Sequence, residues 1–156
     1  MSVYIEIRIC YNVIGDYMEY SVQLEIKKPQ ILVSNLFVDR KTMPLWETGL
    51  TRIEDENHSL FNTSSQGYLV FDFNGKESKM KVSVLENKLP NTITIVYELP
   101  GAYNQCINTF KPMGNQTLWT MDVIFKFDLE IDVPLEAFIE KTTKGMELFK
   151  AFVENQ

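Results

Sequence analysis

The sequence contains few of the residues from which metal sites and catalytic triads are usually built. His58 is the only histidine among 156 residues, and Cys10 and Cys106 are the only cysteines. Two cysteines are too few for a disulfide scaffold, so we expect reduced, unreactive thiols. No spacing of histidine, cysteine and carboxylate resembles a ligand set. We therefore expect no metal and no other cofactor.

Runs of basic residues and long apolar runs are also missing. The 15 lysines and arginines are scattered and are outnumbered by 21 aspartates and glutamates, which gives a formal net charge of −6. This charge balance predicts no nucleic-acid partner. No apolar run reaches the length of a membrane span, and the first residues lack the pattern of a signal peptide. We therefore expect no stable membrane insertion and a cytoplasmic location.

Apolar and polar residues alternate along most of the chain, and this two-residue period is typical of half-buried strands. The period predicts strands at 3–13, 18–27, 50–56, 68–73, 79–86, 92–99, 102–111 and 118–127. Gly15-Asp16 is predicted to turn the chain between the first two strands. Asn74-Gly75 is the strongest hairpin signal, because both residues tolerate positive φ. The later strands therefore predict an antiparallel meander.

Helical signals occur at two places in the sequence. Pro29 suits the first turn of a short helix, and Asp39 is a plausible N-cap for a second one that runs to about Trp46. From Pro134 onward the apolar period becomes 3.6, which predicts a C-terminal amphipathic helix of about twenty residues. The predicted fold is a single α+β domain over residues 1–156, in which a curved antiparallel sheet wraps around the long C-terminal helix.

Several short motifs resemble the START-like or polyketide-cyclase-like superfamily, also called SRPBCC or helix-grip. They are the strand followed by Lys28-Pro29, the stretch Met43-Pro44-Leu45-Trp46 with Gly49-Leu50, and Glu86-Asn87-Lys88-Leu89-Pro90. The last of these, together with residues 146–153, is similar to uncharacterised bacterial members. The likeness covers residues 17–156, so residues 1–16 are predicted to add an extra strand. It implies an internal cavity with the short helices around Trp46 as a lid.

Aromatic and methionine side chains on the predicted strands face those of the C-terminal helix. A plain core would show the same stripe, but Gly145 lies in the middle of the helix stripe. Glycine there costs the helix about 0.5–1 kcal/mol relative to alanine and removes a side chain where the helix meets the sheet. We take this as a sign of a cavity. Its candidate lining residues are Trp46, Tyr97, Asn108, Trp119, Met121, Thr142, Gly145 and Phe149.

Catalytic residues cannot be assigned from the sequence. His58 lies in a polar stretch, where a solvated loop histidine is expected. Asp72, Glu98 and Asp122 lie within apolar strands but on the alternate, polar face, so we expect them to be solvated. A carboxylate that pointed inward would have a raised pKa and would be an acid–base candidate.

These observations leave three functions open. The first is binding of a small hydrophobic ligand, such as a lipid, a polyketide-like or an aromatic molecule. The second is an enzyme of the cyclase or dehydratase kind, as the resemblance implies. The third is a protein-interaction module, with the first strand offering an edge to a partner or to a second copy. Apolar cavity walls would favour the first, an inward carboxylate the second, and a closed core the third.

Overall fold

The computed structural model describes residues 3–12 and 15–156. The strands are β1 (Val3–Asn12), β2 (Gly15–Ile26), β3 (Leu50–Glu54), β4 (Ser65–Phe73), β5 (Lys76–Lys88), β6 (Thr92–Leu99), β7 (Ala102–Met113) and β8 (Gln116–Phe127). The α-helices are α1 (Gln30–Phe37) and α2 (Leu135–Glu154), and short 3-10 turns span Met43–Leu45 and Glu56–His58. This order confirms the predicted sequence of strands and the long C-terminal helix.

All eight of these strands form one antiparallel sheet in the order β1-β2-β8-β7-β6-β5-β4-β3. Strands β3 to β8 are a meander in which each strand pairs with the next. The N-terminal hairpin joins the far side of this meander, because Tyr17–Ile26 of β2 lie opposite Lys126–Thr117 of β8. Strands β1 and β3 are therefore the edges. The predicted meander is confirmed, and so is the strand predicted from residue 3, which is β1 (Val3–Asn12).

The turns show which local signals were correct. Asn74 and Gly75 have φ values of 56° and 81°, as the hairpin between β4 and β5 requires. The turn predicted at Gly15-Asp16 is wrong, because both residues belong to β2 and pair with Asn12 and Tyr11. Position 13, which ends the predicted first strand, lies outside the described residues.

The second predicted helix is reduced to the 3-10 turn Met43–Leu45. The carboxylate of Asp39 accepts hydrogen bonds from the backbone N–H of Lys41 at 3.1 Å and from the hydroxyl of Thr42 at 3.0 Å. Asp39 therefore caps the turn that precedes Met43–Leu45. Pro44 explains why no longer helix forms, since it fixes its own φ and has no N–H to donate.

Helix α2 packs on the inner face of the sheet, which is the face that carries the alternate buried residues of β2. Those residues are Met18, Tyr20, Val22, Leu24 and Ile26. A cluster of rings joins the layers, because Phe37 at the end of α1 lies 5.6 Å from Trp119 of β8 and 5.4 Å from Phe149 of α2. The core thus lies between the sheet and both helices, and the arrangement is a helix-grip fold.

Candidate functional site

A small cavity lies beneath the segment that follows α1. We call residues 42–47 the cover segment. The cavity is lined by Phe37, Met43, Trp46, Glu47, Phe61, Leu69, Val82, Ile95 and Tyr97, and its volume is about 20 Å³. That is the space one water molecule needs. Typical ligand pockets have volumes of about 300–1,000 Å³, so the site is closed in this structure.

Strand geometry explains why distant residues meet at this cavity. Val82 of β5 lies directly opposite Tyr97 of β6, so both side chains project from the same face of the sheet. Ile95 is two residues before Tyr97 and therefore shares that face. Trp46 and Glu47 directly follow the 3-10 turn Met43–Leu45, and they line the cavity from the cover segment.

The indole ring of Trp46 closes the space between the sheet and α2. Its centre lies 5.9 Å from the ring of Phe37, nearly parallel to it, and 4.6 Å from the ring of Phe149 at an angle of 64°. Such aromatic pairs stabilise a structure by about 0.5–1.5 kcal/mol each beyond the burial of their surface. A ligand of ordinary size would have to displace this ring.

The cavity also has a polar end. Burial raises the pKa of the Glu47 carboxyl, and the ammonium group of Lys141 on α2 partly opposes that rise. Burial likewise raises the pKa of the Tyr97 hydroxyl well above its usual value, and the nearby Cys106 and Glu47 raise it further. The indole Nε1 of Trp46 is buried without an acceptor among the described residues.

The thiol of Cys106 lies on the same inner face and is buried. Its Sγ donates a weak hydrogen bond to Oδ1 of Asn104 at 3.5 Å, and burial raises its pKa to about 12. The thiol is therefore protonated near neutral pH, and nucleophilic catalysis needs the thiolate.

The structure brings some of the predicted site residues to the cavity and leaves others in the core. Trp46 and Tyr97 line the cavity. Trp119 and Asn108 are buried beside it and bond to each other, Nε1 to Oδ1, at 3.0 Å. Phe149 is buried against Trp46, and Met121 is partly buried in the core on β8.

The two predicted residues in the middle of α2 do not line the cavity. The Tyr20 hydroxyl donates to the carbonyl of Phe138 at 3.3 Å and lies 2.7 Å from the Thr142 hydroxyl, which then donates to it. Thr142 therefore tethers α2 to the sheet. Burial is the main reason that the pKa of Tyr20 rises to about 12; the Thr142 bond lowers it, and nearby Cys106 raises it.

Gly145 was expected to face the sheet, but it is exposed on the flank of α2. A Cβ atom added to it would meet no other atom within 4 Å. The buried face of the helix is centred on Ile139, Met146 and Val153. Gly145 precedes Met146 by one residue, and successive helical residues are rotated by about 100°, which carries Gly145 away from the sheet.

Among the described residues one carboxylate lines the cavity, and sequence reasoning missed it. Asp72 and Asp122 are exposed and Glu98 is partly buried, each on the outer face as predicted, and His58 is exposed. Glu47 lines the cavity instead. Its position directly after Trp46, in the segment that the resemblance implied as a lid, was the available signal.

Within the described ranges, no three or more His, Cys, Asp and Glu residues are grouped closely enough to hold a metal ion. None of the helices in that part of the chain has the length and apolar character needed to cross a membrane. Two larger depressions lie elsewhere, one bordered by Glu19, Ser21 and Asp122 and the other by Glu54, Tyr68 and Lys81. Both are more open to solvent than the cavity under the cover segment.

Comparison with solved structures identifies proteins that share this fold. No protein-family model and no curated protein matches the chain. Solved structures do match it. Ara h 8.0201 is 10% identical, with a TM-score of 0.71 over 90% of this chain and 99% of its own. CalU16 from Micromonospora echinospora is 10% identical, with a TM-score of 0.67 over 98% and 87%.

An uncharacterised protein from Rhizobium leguminosarum is 13% identical and has a TM-score of 0.69 over 100% of both chains. Identities this low carry information about the fold alone. They confirm the resemblance found in the sequence at that level: this chain has the helix-grip fold of the Bet v 1-like, START-like proteins.

Proposed function

We propose that the protein binds a small hydrophobic molecule, such as a lipid, a polyketide-like or an aromatic compound, between its sheet and α2. The observation that carries this proposal is the cavity under the cover segment, whose walls are apolar except at one end. Phe37, Leu69 and Ile95 supply the wall deepest in the core. Binding of hydrophobic molecules is typical of the helix-grip fold, which supports the proposal.

Access to the site requires that Trp46 moves. The neighbouring Leu45 is 71% exposed, so the outer surface of the cover segment faces solvent. Its N-terminal side is fixed by Arg40, which binds the carboxylate of Asp55 through two hydrogen bonds of 2.6 and 2.8 Å. An outward movement of Trp46 would open space between Phe37 and Phe149 without unfolding either helix.

The first test is native mass spectrometry of the freshly purified protein, in search of a co-purified small molecule. The second is binding of ANS, a dye with apolar aromatic rings and one sulfonate group, to a Trp46→Leu variant. The smaller leucine side chain should leave the cavity open, so we expect the variant to bind ANS at least severalfold more tightly than the wild type. Leu45→Ala is the matched control, because Leu45 points to solvent.

Near-UV circular dichroism must show that the Trp46→Leu variant keeps its tertiary structure, since a loosened core also binds ANS. Unchanged ANS affinity in the folded variant, together with no bound mass in the native spectrum, would contradict the proposal.

An enzyme of the cyclase or dehydratase kind is the second candidate, and a specific observation favours it. Glu47 and Tyr97 line the same cavity, and a carboxyl whose pKa is raised can donate and accept protons closer to neutral pH. The inward carboxylate that sequence reasoning associated with catalysis is therefore present. Turnover that is lost in Glu47→Gln, with ligand binding retained, would favour this candidate over a carrier.

We also propose an association through the edge strand β1, which is the remaining candidate. Tyr4 and Ile5 on this strand are 61% and 47% exposed, and an unpaired strand edge can accept another strand. A second copy of the chain would complete the edge as a homodimer. For the compartment we propose the cytoplasm, because the buried Cys106 is a free thiol, as expected in a reducing environment.

A further inference from the structure

Three polar side chains line one cavity, and one of them has a buried donor without a protein partner. Nε1 of Trp46 is buried and unpaired among the described residues. The Glu47 carboxyl and the Tyr97 hydroxyl line the same space. Buried polar groups are almost always paired in folded proteins, so the unpaired indole N–H needs an explanation.

The chemistry of the indole N–H and of its two polar neighbours defines what the missing partner of Trp46 must be. An indole N–H can only donate a hydrogen bond, a protonated carboxyl donates one, and a phenol can do either. Burial raises the pKa of Glu47, which widens the pH range in which its carboxyl is a donor. The cavity therefore presents up to three donors, and the partner must supply an acceptor.

The charged and titratable groups near this end are few. Lys141 on α2 interacts with Glu47 from the helix side, while Glu47 and Cys106 act on Tyr97 from the cover segment and β7. An anionic group placed beside Glu47 would be repelled whenever that carboxyl is ionised. An uncharged acceptor is compatible with both of its protonation states.

We propose that the site selects an uncharged apolar ligand with a carbonyl oxygen. This oxygen accepts hydrogen bonds from Glu47 and Tyr97 and, when the displaced indole packs back against the bound ligand, from Nε1 of Trp46. The inference rests on the proposed binding function and specifies the class of ligand. The rival explanation is a single water molecule, because a volume of about 20 Å³ is enough for one water.

The test compares acetophenone with ethylbenzene, which have nearly the same shape and differ in the carbonyl oxygen. Titrations are followed in ¹⁵N NMR spectra, where the chain offers two indole N–H signals, those of Trp46 and Trp119. A Trp46→Phe variant assigns them. We expect the ketone to bind about tenfold more tightly than the hydrocarbon. It should shift the Trp46 signal downfield and leave that of Trp119, which is already bonded to Asn108, nearly unchanged.

Two conservative variants test the donors. Tyr97→Phe should reduce the preference for the ketone over ethylbenzene roughly threefold to tenfold. The control is Tyr103→Phe, because the Tyr103 hydroxyl bonds to Gln105 and does not line the cavity.

In the wild type, affinity for the ketone should fall as the pH rises through the elevated pKa of Glu47, above its ordinary 4.5. Glu47→Gln keeps N–H donors at all pH values and should abolish that dependence, whereas Glu98→Gln on the outer face should not.

The possible outcomes separate the two proposals. If both compounds bind equally and the Trp46 signal does not shift, the partner is water only; the carbonyl inference is then wrong while the binding function stands. If neither compound binds up to its solubility limit, the binding function and the carbonyl inference both fail.

Discussion

Asp55 carries a charge although its side chain is only 1% exposed. The guanidinium of Arg40, 24% exposed, binds both of its oxygens, and the backbone N–H of Leu60 donates to Oδ2 at 2.7 Å. Burial alone would raise the pKa of Asp55, but these hydrogen bonds outweigh it and the pKa is lowered. This ion pair joins the chain just before the cover segment to the loop after β3.

We predict that Asp55→Asn destabilises the protein by about 2–3 kcal/mol at pH 7. This is less than for a fully buried pair, because Arg40 is partly solvated. Since the folded-state pKa lies below the ordinary 3.8, the stabilisation is complete above that pH and disappears as the pH falls through the folded-state pKa. Urea unfolding at pH 7 and near pH 3 should show the difference shrinking with acidity.

The control for this prediction is Glu77→Gln, which breaks an ion pair with Arg52 in which both side chains are about half exposed. We expect it to change stability little at either pH. An equal effect of the two substitutions would show that burial gives the Asp55 pair no special importance.

Residues of the cover segment also show where sequence reasoning ends at this scale. Alternation assigned Asp72 and Asp122 correctly to the outer face, because a strand fixes the direction of each side chain. Glu47 follows a single 3-10 turn, where no period applies. Its direction depends on how Trp46 packs against Phe149, a contact between residues far apart in the sequence.

At the scale of elements, the position of α2 agrees with the prediction, but the face that it turns to the sheet differs. Gly145 lies outside that face and Lys150 lies on it. A charged residue such as Lys150 is expected on the solvent side of an amphipathic helix, yet it is only 9% exposed. Its ammonium group donates to the carbonyl of Glu25 at 2.7 Å and to the carboxylate of Glu154 at 2.5 Å. The lysine can thus lie on the buried face because its charge is paired at the end of β2, and apolar periodicity alone cannot show such a pair.

The rotation of α2 changes what a substitution at Gly145 should do. Because an added Cβ meets open space, we predict that Gly145→Ala raises the free energy of unfolding by about 0.5–1 kcal/mol through helix propensity alone. ANS binding should not change, since Gly145 does not line the cavity. Chemical denaturation and dye titration measure the two effects.

Ala151, also exposed on α2, provides the reciprocal control. Ala151→Gly should destabilise by a similar amount. If Gly145→Ala weakened ANS binding, or lowered stability, Gly145 would lie against ligand or packed backbone, as the sequence first suggested.

At the scale of the whole molecule, the fold was predictable because its signals are local. Strand alternation, the Asn74-Gly75 turn and the 3.6-residue period from Pro134 each act within a few residues. The site was only partly predictable. Its cavity exists because Trp46 meets Tyr97 across about fifty residues of sequence, and its small volume depends on how tightly those side chains pack.

The place of β1 in the sheet leads to a last prediction. Among the described strands it pairs with β2 alone, while β2 also pairs with β8 and buries Val22 and Leu24 in the core. A variant that lacks residues 1–14 should therefore keep its helix content by circular dichroism and unfold cooperatively at a somewhat lower temperature.

If β1 forms the homodimer, light scattering should show a dimer for the full chain and a monomer for the truncated one. An unfolded truncated chain would show that β1 is essential to the core, and a full chain that stays monomeric at high concentration would rule out pairing through this edge.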